Sequence, residues 1–196
     1  MFRDKILVAG AGGQGALRIG QMLAYAGLKE GREVTWLPSY GAEMRGGTAN
    51  CSVVISEDEI PYPMVSEPDH CIVMNDLSLD KFEVTVRSGG SIIINSSMIP
   101  QKIRRSDLNA YYVPADQIAE EEGNSRGANM VLLGAYIAIA QSVSLESVYH
   151  VIEQTFTGPK ASYADSNRRL VKRGYEFINN DRKNQNRAVS EGGAHG

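Results

Sequence analysis

The chain opens on a short apolar run, Lys5-Ile6-Leu7-Val8-Ala9, bounded by glycine. An uninterrupted run of that length is the mark of a parallel strand covered on both faces. From Gln14 to Leu28 the apolar residues Leu17, Ile19, Met22, Leu23, Tyr25, Ala26 and Leu28 recur at helical spacing, and Gly27 and Gly31 bracket the end of the helix. Glu33-Val34-Thr35-Trp36-Leu37 predicts a second strand, stopped by Pro38 because proline lacks the donor that a sheet interior needs. A first strand-helix-strand unit is complete there. Ser39 to Gly47 has no apolar periodicity and contains three glycines, which predicts a loop.

Thr48 to Ser56, rich in Val, Ile and Thr, predicts a strand, and Asp69–Met74 and Ser91–Asn95 predict two more. Between the last two, Ser78 is placed to cap a helix running to Val86 that carries Leu79 and Phe82 inward. Tyr111-Tyr112-Val113 is a weaker strand, followed by a short helix after Pro114. Helical patterns follow at Gly127–Gln141, at Ser144–Phe156 with Ser144 as N-cap, and at Ser162–Ile178. Beyond Ile178, Asn179 to Gly196 has almost no large apolar side chain to offset the entropy of ordering it. The expectation is therefore one α/β domain over 1–178 and a disordered tail over 179–196. The fold class is a Rossmann-like three-layer fold with a mostly parallel sheet of five or six strands.

Composition narrows the function classes. At 196 residues and 42% hydrophobic the chain is long enough for one sizeable core, with no composition shift to suggest a second. The net charge of -3, with basic residues scattered, gives no electrostatic basis for binding nucleic acid or an anionic membrane. The first apolar run is too short for a signal-peptide core or a membrane span, so the expected location is cytoplasmic. Cys51 and Cys71 have no CxxC spacing and no histidine at ligand distance along the chain, so neither an iron–sulfur cluster nor a structural zinc is expected on this chain alone. Both thiols read as buried strand residues. His70, His150 and His195 are isolated, and none is assigned a catalytic role.

Two loops carry the candidate chemistry. Gly10, Gly12 and Gly15 match G-x-G-x-x-G directly after a strand and opening a helix, with Gly13 and Gln14 between. In that reading Gly10 permits the tight turn, Gly12 clears a path for a phosphate to the helix N-terminus, and Gly15 lets the helix pack close to the strand. A dinucleotide site also needs an acid at the end of the second strand, and that strand ends Thr35-Trp36-Leu37-Pro38. A Walker loop fails too, because Ala16-Leu17 stand where Lys-Ser/Thr is required. The turn alone leaves a dinucleotide, another anion or a structural role open. The second loop, Ser39-Tyr40-Gly41-Ala42-Glu43-Met44-Arg45-Gly46-Gly47-Thr48-Ala49-Asn50, sits at the carboxyl end of the second strand, where open α/β sheets place ligands and partners. Arg45 suits a phosphate, or Glu43 and Arg45 pair internally to shape the loop.

These two loops, with Ala128-Asn129-Met130-x-x-Leu133-Gly134-Ala135 further on, resemble in order the gamma subunits of the 2-oxoacid:ferredoxin oxidoreductases over Lys5 to Ile178. The Glu43-Met44-Arg45-Gly46-Gly47-Thr48-Ala49 segment is closer to the 2-oxoglutarate and branched-chain members than to the pyruvate members, with 2-oxoglutarate the leading substrate. The resemblance implies an enzyme whose alpha and beta chains, with a delta chain in some members, carry thiamine diphosphate, Mg2+ and iron–sulfur clusters. A 2-oxoacid is decarboxylated, electrons pass singly to ferredoxin, and the acyl group passes to coenzyme A. It further implies that this chain, inactive alone, uses Gly10, Gly12, Gly13, Gln14, Gly15, Ser39, Tyr40, Glu43, Arg45, Gly46, Gly47 and Thr48 to help cover coenzyme A and to hold the complex together. Asn129 is counted with these ligand-covering residues; it opens a core-like helix and is expected to act as a cap or a loop anchor. The alternatives are a free-standing NAD(P)-binding Rossmann oxidoreductase and a non-catalytic scaffold subunit.

Overall fold

A computed structural model describes residues 2–39 and 48–192, with side chains at 2–39 and 49–184. Its elements are β1 (Arg3–Ala11), α1 (Ala16–Lys29), β2 (Glu33–Ser39), β3 (Thr48–Ser56), β4 (His70–Val73), α2 (Asp76–Phe82), β5 (Ser91–Asn95), β6 (Asn109–Val113), α3 (Ala115–Glu121), α4 (Ala128–Ala140), α5 (Leu145–Thr155) and α6 (Ser162–Gly192). Among the described residues the strands form one six-stranded sheet in the order β2-β3-β1-β4-β5-β6. β1, β4, β5 and β6 are parallel, whereas β3 runs antiparallel to both of its neighbours. The strand-helix-strand unit is present, but β3 turns back from β2 and inserts between β2 and β1.

The runs that read as doubly covered strands are so in the structure. Every residue of β5 is buried, as are Cys71, Ile72 and Val73 of β4. One face packs under α1, α3, α4, α5 and α6 around Ile6, Ile19, Ile72 and Leu133, and the other packs against α2 through Leu79, Val86, Ile99 and Leu108. Helix α4 is buried on nearly every side, from Met130 through Ala138, which makes it the central element of the helical layer. Where α4 crosses α6 the backbones nearly touch: a Cβ at Gly134 would stand 1.9 Å from the Val171 carbonyl oxygen, and one at Gly174 the same distance from that of Val131.

Three of the boundaries that differ from the sequence reading have a clear physical cause. β2 continues through Pro38, which pairs in register with Cys51, because β2 is an edge strand and an edge tolerates a missing donor. Helix α2 is capped by Asn75, whose side chain accepts from the Ser78 N–H at 3.1 Å, so Ser78 is a buried first-turn residue rather than the cap. Helix α6 does not stop at Ile178 but runs to Gly192. Extending an existing helix carries no nucleation cost, and Arg182 ties the extension down by donating to the Ala138 carbonyl at 2.9 Å. The Ser144 cap stands as expected, accepting from the Ser147 N–H at 3.1 Å.

Candidate functional site

The glycine turn is built differently from the simple motif reading. Gly10 is still in β1, paired with Ala49 of β3, and the chain turns only after Ala11. Glycine is required at 10 because a Cβ there would lie 2.8 Å from Gln14 Oε1 and 2.9 Å from the Met74 Cβ. The Gln14 side chain clips the turn shut: its Oε1 accepts from the Ala11 N–H at 2.6 Å and its amide donates to the Met74 carbonyl at 3.3 Å. Gly13 and Gly15 take left-handed φ values of 92° and 91°, and Gly15 is the N-cap of α1, which starts at Ala16 instead of Gln14. Gly12 and Gly13 are exposed. The α1 N-terminus has no side-chain cap and no acid in its first turn, which leaves its positive end open to an anion.

Gly15 makes room for a different neighbour than expected. A Cβ on it would come within 2.5 Å of Asn129 Nδ2, so the close approach is to α4, not to the strand. Asn129 is not a cap; the α4 N-cap is Gly127, with no side-chain bond. Asn129 instead packs its amide onto the glycine turn. The register supplies the third partner, since Thr48 pairs with Ala11 and Ser39 with Asn50. The segment between β2 and β3 therefore leaves and rejoins the sheet beside the glycine turn. Tyr40, Glu43, Arg45, Gly46 and Gly47 lie outside the described residues, and Thr48 is placed by its backbone only. The glycine turn, Asn129 and the two strand ends that flank the second loop thus meet at the carboxyl end of β1, at the point where helices switch from one face of the sheet to the other.

Next to the turn lies a cavity of about 320 Å³ whose walls include Gly13, Gln14, Met74, Asn95, Asp116 and Arg126. Asn95 is 1% exposed and donates to Asp116 Oδ2 at 2.7 Å. Sequence reasoning missed Asn95, Asp116 and Arg126. The signal was positional, because Asn95 ends β5 and Asp116 follows the end of β6 by three residues, on the rim that already holds the glycine turn.

Elsewhere the titratable groups lie away from this rim. Burial pushes the Cys51 thiol up to about 11 and the Cys71 thiol up to about 12, so neither is a thiolate at neutral pH. His70 pairs with Asp4 near the start of β1, the far end of the strand, at 3.7 Å. His195 lies outside the described residues. Among the described residues no group of three or more His, Cys, Asp or Glu is arranged to hold a metal ion, and no helix is long and apolar enough to cross a membrane.

Residues 5–177 match the family model described as pyruvate ferredoxin/flavodoxin oxidoreductase. The chain belongs to this family. Among its relatives, the ketoisovalerate oxidoreductase subunit VorA of Methanothermobacter marburgensis is 39% identical over 178 residues, which is 90% of this chain and 37% of VorA. The chain thus spans little more than a third of that relative. It is 32% identical over 178 residues to the 2-oxoglutarate synthase subunit KorC of Methanocaldococcus jannaschii, covering 89% of this chain and 94% of KorC. The fold is that of the keto/oxoacid ferredoxin oxidoreductase gamma subunit from Geobacter sulfurreducens, at a TM-score of 0.76 and 25% identity over 89% of this chain and 98% of that one. KorC and the Geobacter chain, each matched almost from end to end, are subunits by name.

Proposed function

We propose that this chain is the gamma subunit of a 2-oxoacid:ferredoxin oxidoreductase, assembled with alpha and beta chains that hold thiamine diphosphate, Mg2+ and iron–sulfur clusters. The observation that carries this reading is the near end-to-end match to a subunit in both sequence and fold, 94% of KorC and 98% of the Geobacter chain. The assembled enzyme decarboxylates a 2-oxoacid, passes two electrons singly to ferredoxin and transfers the acyl group to coenzyme A. Substrate choice lies between 2-oxoglutarate and a branched-chain 2-oxoacid, the classes in the names of KorC and VorA, with 2-oxoglutarate favoured by the sequence of the second loop.

Within that enzyme the glycine turn and the 39–50 loop cover coenzyme A. The support is physical: an uncapped helix N-terminus at Gly15, exposed backbone at Gly12 and Gly13, and Arg45 in the adjoining loop suit the phosphates of that ligand. A charge-assisted contact from Arg45 is worth ~1.5–3 kcal/mol, so Arg45→Ala raises KM for coenzyme A by roughly tenfold or more while leaving the complex intact. Steady-state kinetics of the co-expressed complex check this. An unchanged KM together with loss of the partner chains on purification assigns the loop to subunit contact instead. The isolated chain is expected to show no flavin, thiamine or cluster absorbance and no coenzyme A-dependent turnover; activity of the chain alone overturns the subunit reading.

A further inference from the structure

Helix α1 carries two apolar faces where a surface helix needs one. Its inner face is complete: Ile19, Leu23 and Ala26 are fully buried and Met22 nearly so. Yet Tyr25 is 50% exposed and Leu28 is 55% exposed on the outer face. They lie between Arg18 and Lys29 on one helical stripe, and the stripe forms a wall of a groove of about 570 Å³ whose other wall is α5, including His150 and Val151. The walls are held together at one end, where Glu30 Oε1 accepts from the Ser144 N–H at 2.7 Å.

Among the described residues the charge of this groove is uncompensated: the one partner of Arg18 is the Gln21 amide oxygen at 3.4 Å, and Lys29 has no ion pair. Arg18 also stands in the first turn of α1, against the positive end of the helix dipole, with no acid in that turn to offset it. The neighbouring grooves differ. Between α5 and α6, Arg168 pairs with Glu153; between α3 and α6, Arg169 pairs with Glu122 and Arg173 with Glu121. A cationic, apolar-floored groove on a chain of net charge -3 is a local excess that a partner from outside can match.

We propose that the α1–α5 groove is the docking surface for a helix of a partner subunit that presents an apolar side chain between two carboxylates. The apolar residue covers Tyr25 and Leu28, and the carboxylates meet Arg18 and Lys29, which are roughly 16 Å apart at the helical rise of 1.5 Å per residue. Acidic residues about three turns apart on that helix satisfy both. A second copy of this chain does not fit the role, because a two-fold contact through this groove sets the Arg18–Lys29 stripe of one copy against that of the other. The proposal rests on the reading of the chain as a subunit.

The test is co-expression of the tagged chain with the thiamine- and cluster-binding chains. Failure of the unaltered chain to co-purify them sinks the subunit reading, and the docking proposal with it. With co-purification established, Arg18→Glu combined with Lys29→Gln is expected to weaken retention of the partner chains at least tenfold. Tyr25→Gln combined with Leu28→Gln is expected to do the same. Arg18→Glu puts an acid at the favourable end of α1, so the isolated variant holds its fold, which its circular dichroism and Tm verify. Full retention of the partners by both double variants overturns the proposal. Retention with a raised KM for coenzyme A also overturns it, assigning the cations to the ligand. A concentration-dependent dimer of the isolated chain that the same substitutions abolish overturns it in favour of self-association.

Discussion

Asp4 is 4% exposed, accepts a hydrogen bond from the Tyr136 hydroxyl, and leaves its other oxygen without one. Burial holds its carboxyl above the ordinary value of 3.8, although His70, Tyr136 and Ser142 pull the other way. A raised carboxyl binds its proton more tightly in the folded chain than in the unfolded one. The folded state is therefore penalised as pH rises from the unfolded value through the folded one, and the penalty is absent in acid. Asp4→Asn removes the charge and keeps an acceptor for Tyr136, so its Tm relative to the parent is higher at pH 7 than at pH 4; a difference independent of pH refutes the assignment. At Gly15 two costs combine, a left-handed φ of 91° and crowding against Asn129. Gly15→Ala should lose about 1–3 kcal/mol in denaturant unfolding, and adding Asn129→Ala should recover part of it by relieving the crowding alone. Neither contact was legible in the sequence: Asp4 and Tyr136 are unremarkable singly, and Gly15 and Asn129, though each stands in a motif, are more than a hundred positions apart with nothing along the chain to pair them.

At the scale of elements, α4 and α6 are locked by two glycines that let their backbones meet. Side chains flex to absorb a new methyl, but backbone does not, so Gly134→Ala forces the helices apart at the centre of the core. The expected loss is ~1–3 kcal/mol, measurable by urea unfolding, whereas Ala at the exposed Gly123 meets no neighbour and costs only the strain of its left-handed φ of 72°. The glycine in Leu133-Gly134-Ala135 was visible, but its partner was not. Strand interiors and α4 were readable because a continuous apolar run has one physical meaning once both faces are covered. Edges were not. Pro38 reads as a stop unless the strand is known to be outermost, and Ser78 reads as a cap until Asn75, three residues earlier, is seen to take that place. The polar stretch after Ile178 read as too poor in apolar residues to order, a criterion that ignores the helix already formed before it.

Over the whole molecule the two faces of the sheet are unequal. Five helices, α1 and α3 to α6, pack on one, while the other has the seven-residue α2 and the segment around Ile99 and Leu108, with Leu77, Val84 and Met98 left exposed. Amide hydrogen exchange should therefore show α2 opening at a lower free energy than α4 and β5, which exchange only with global unfolding. Equal protection of α2 and α4 would contradict this. The three-layer class followed from the sequence because helical and strand patterns alternate along the chain. The reversed β3 did not, since an apolar strand reads the same in either direction. The meeting of three motifs at one rim was foreshadowed by the family resemblance; only the register of Thr48 with Ala11 and the contact of Asn129 with Gly15 give it a physical basis.

Trp36, the single tryptophan of the chain, stands on β2 three residues before Ser39, half-buried under α1 and so close that a Cβ on Gly20 would lie 3.0 Å from its indole nitrogen. The protein thus carries its own fluorophore between the helix that follows one loop and the strand that feeds the other. Events at the rim, whether a ligand arriving or a partner chain closing over it, become observable as a change in intrinsic emission, with no label attached.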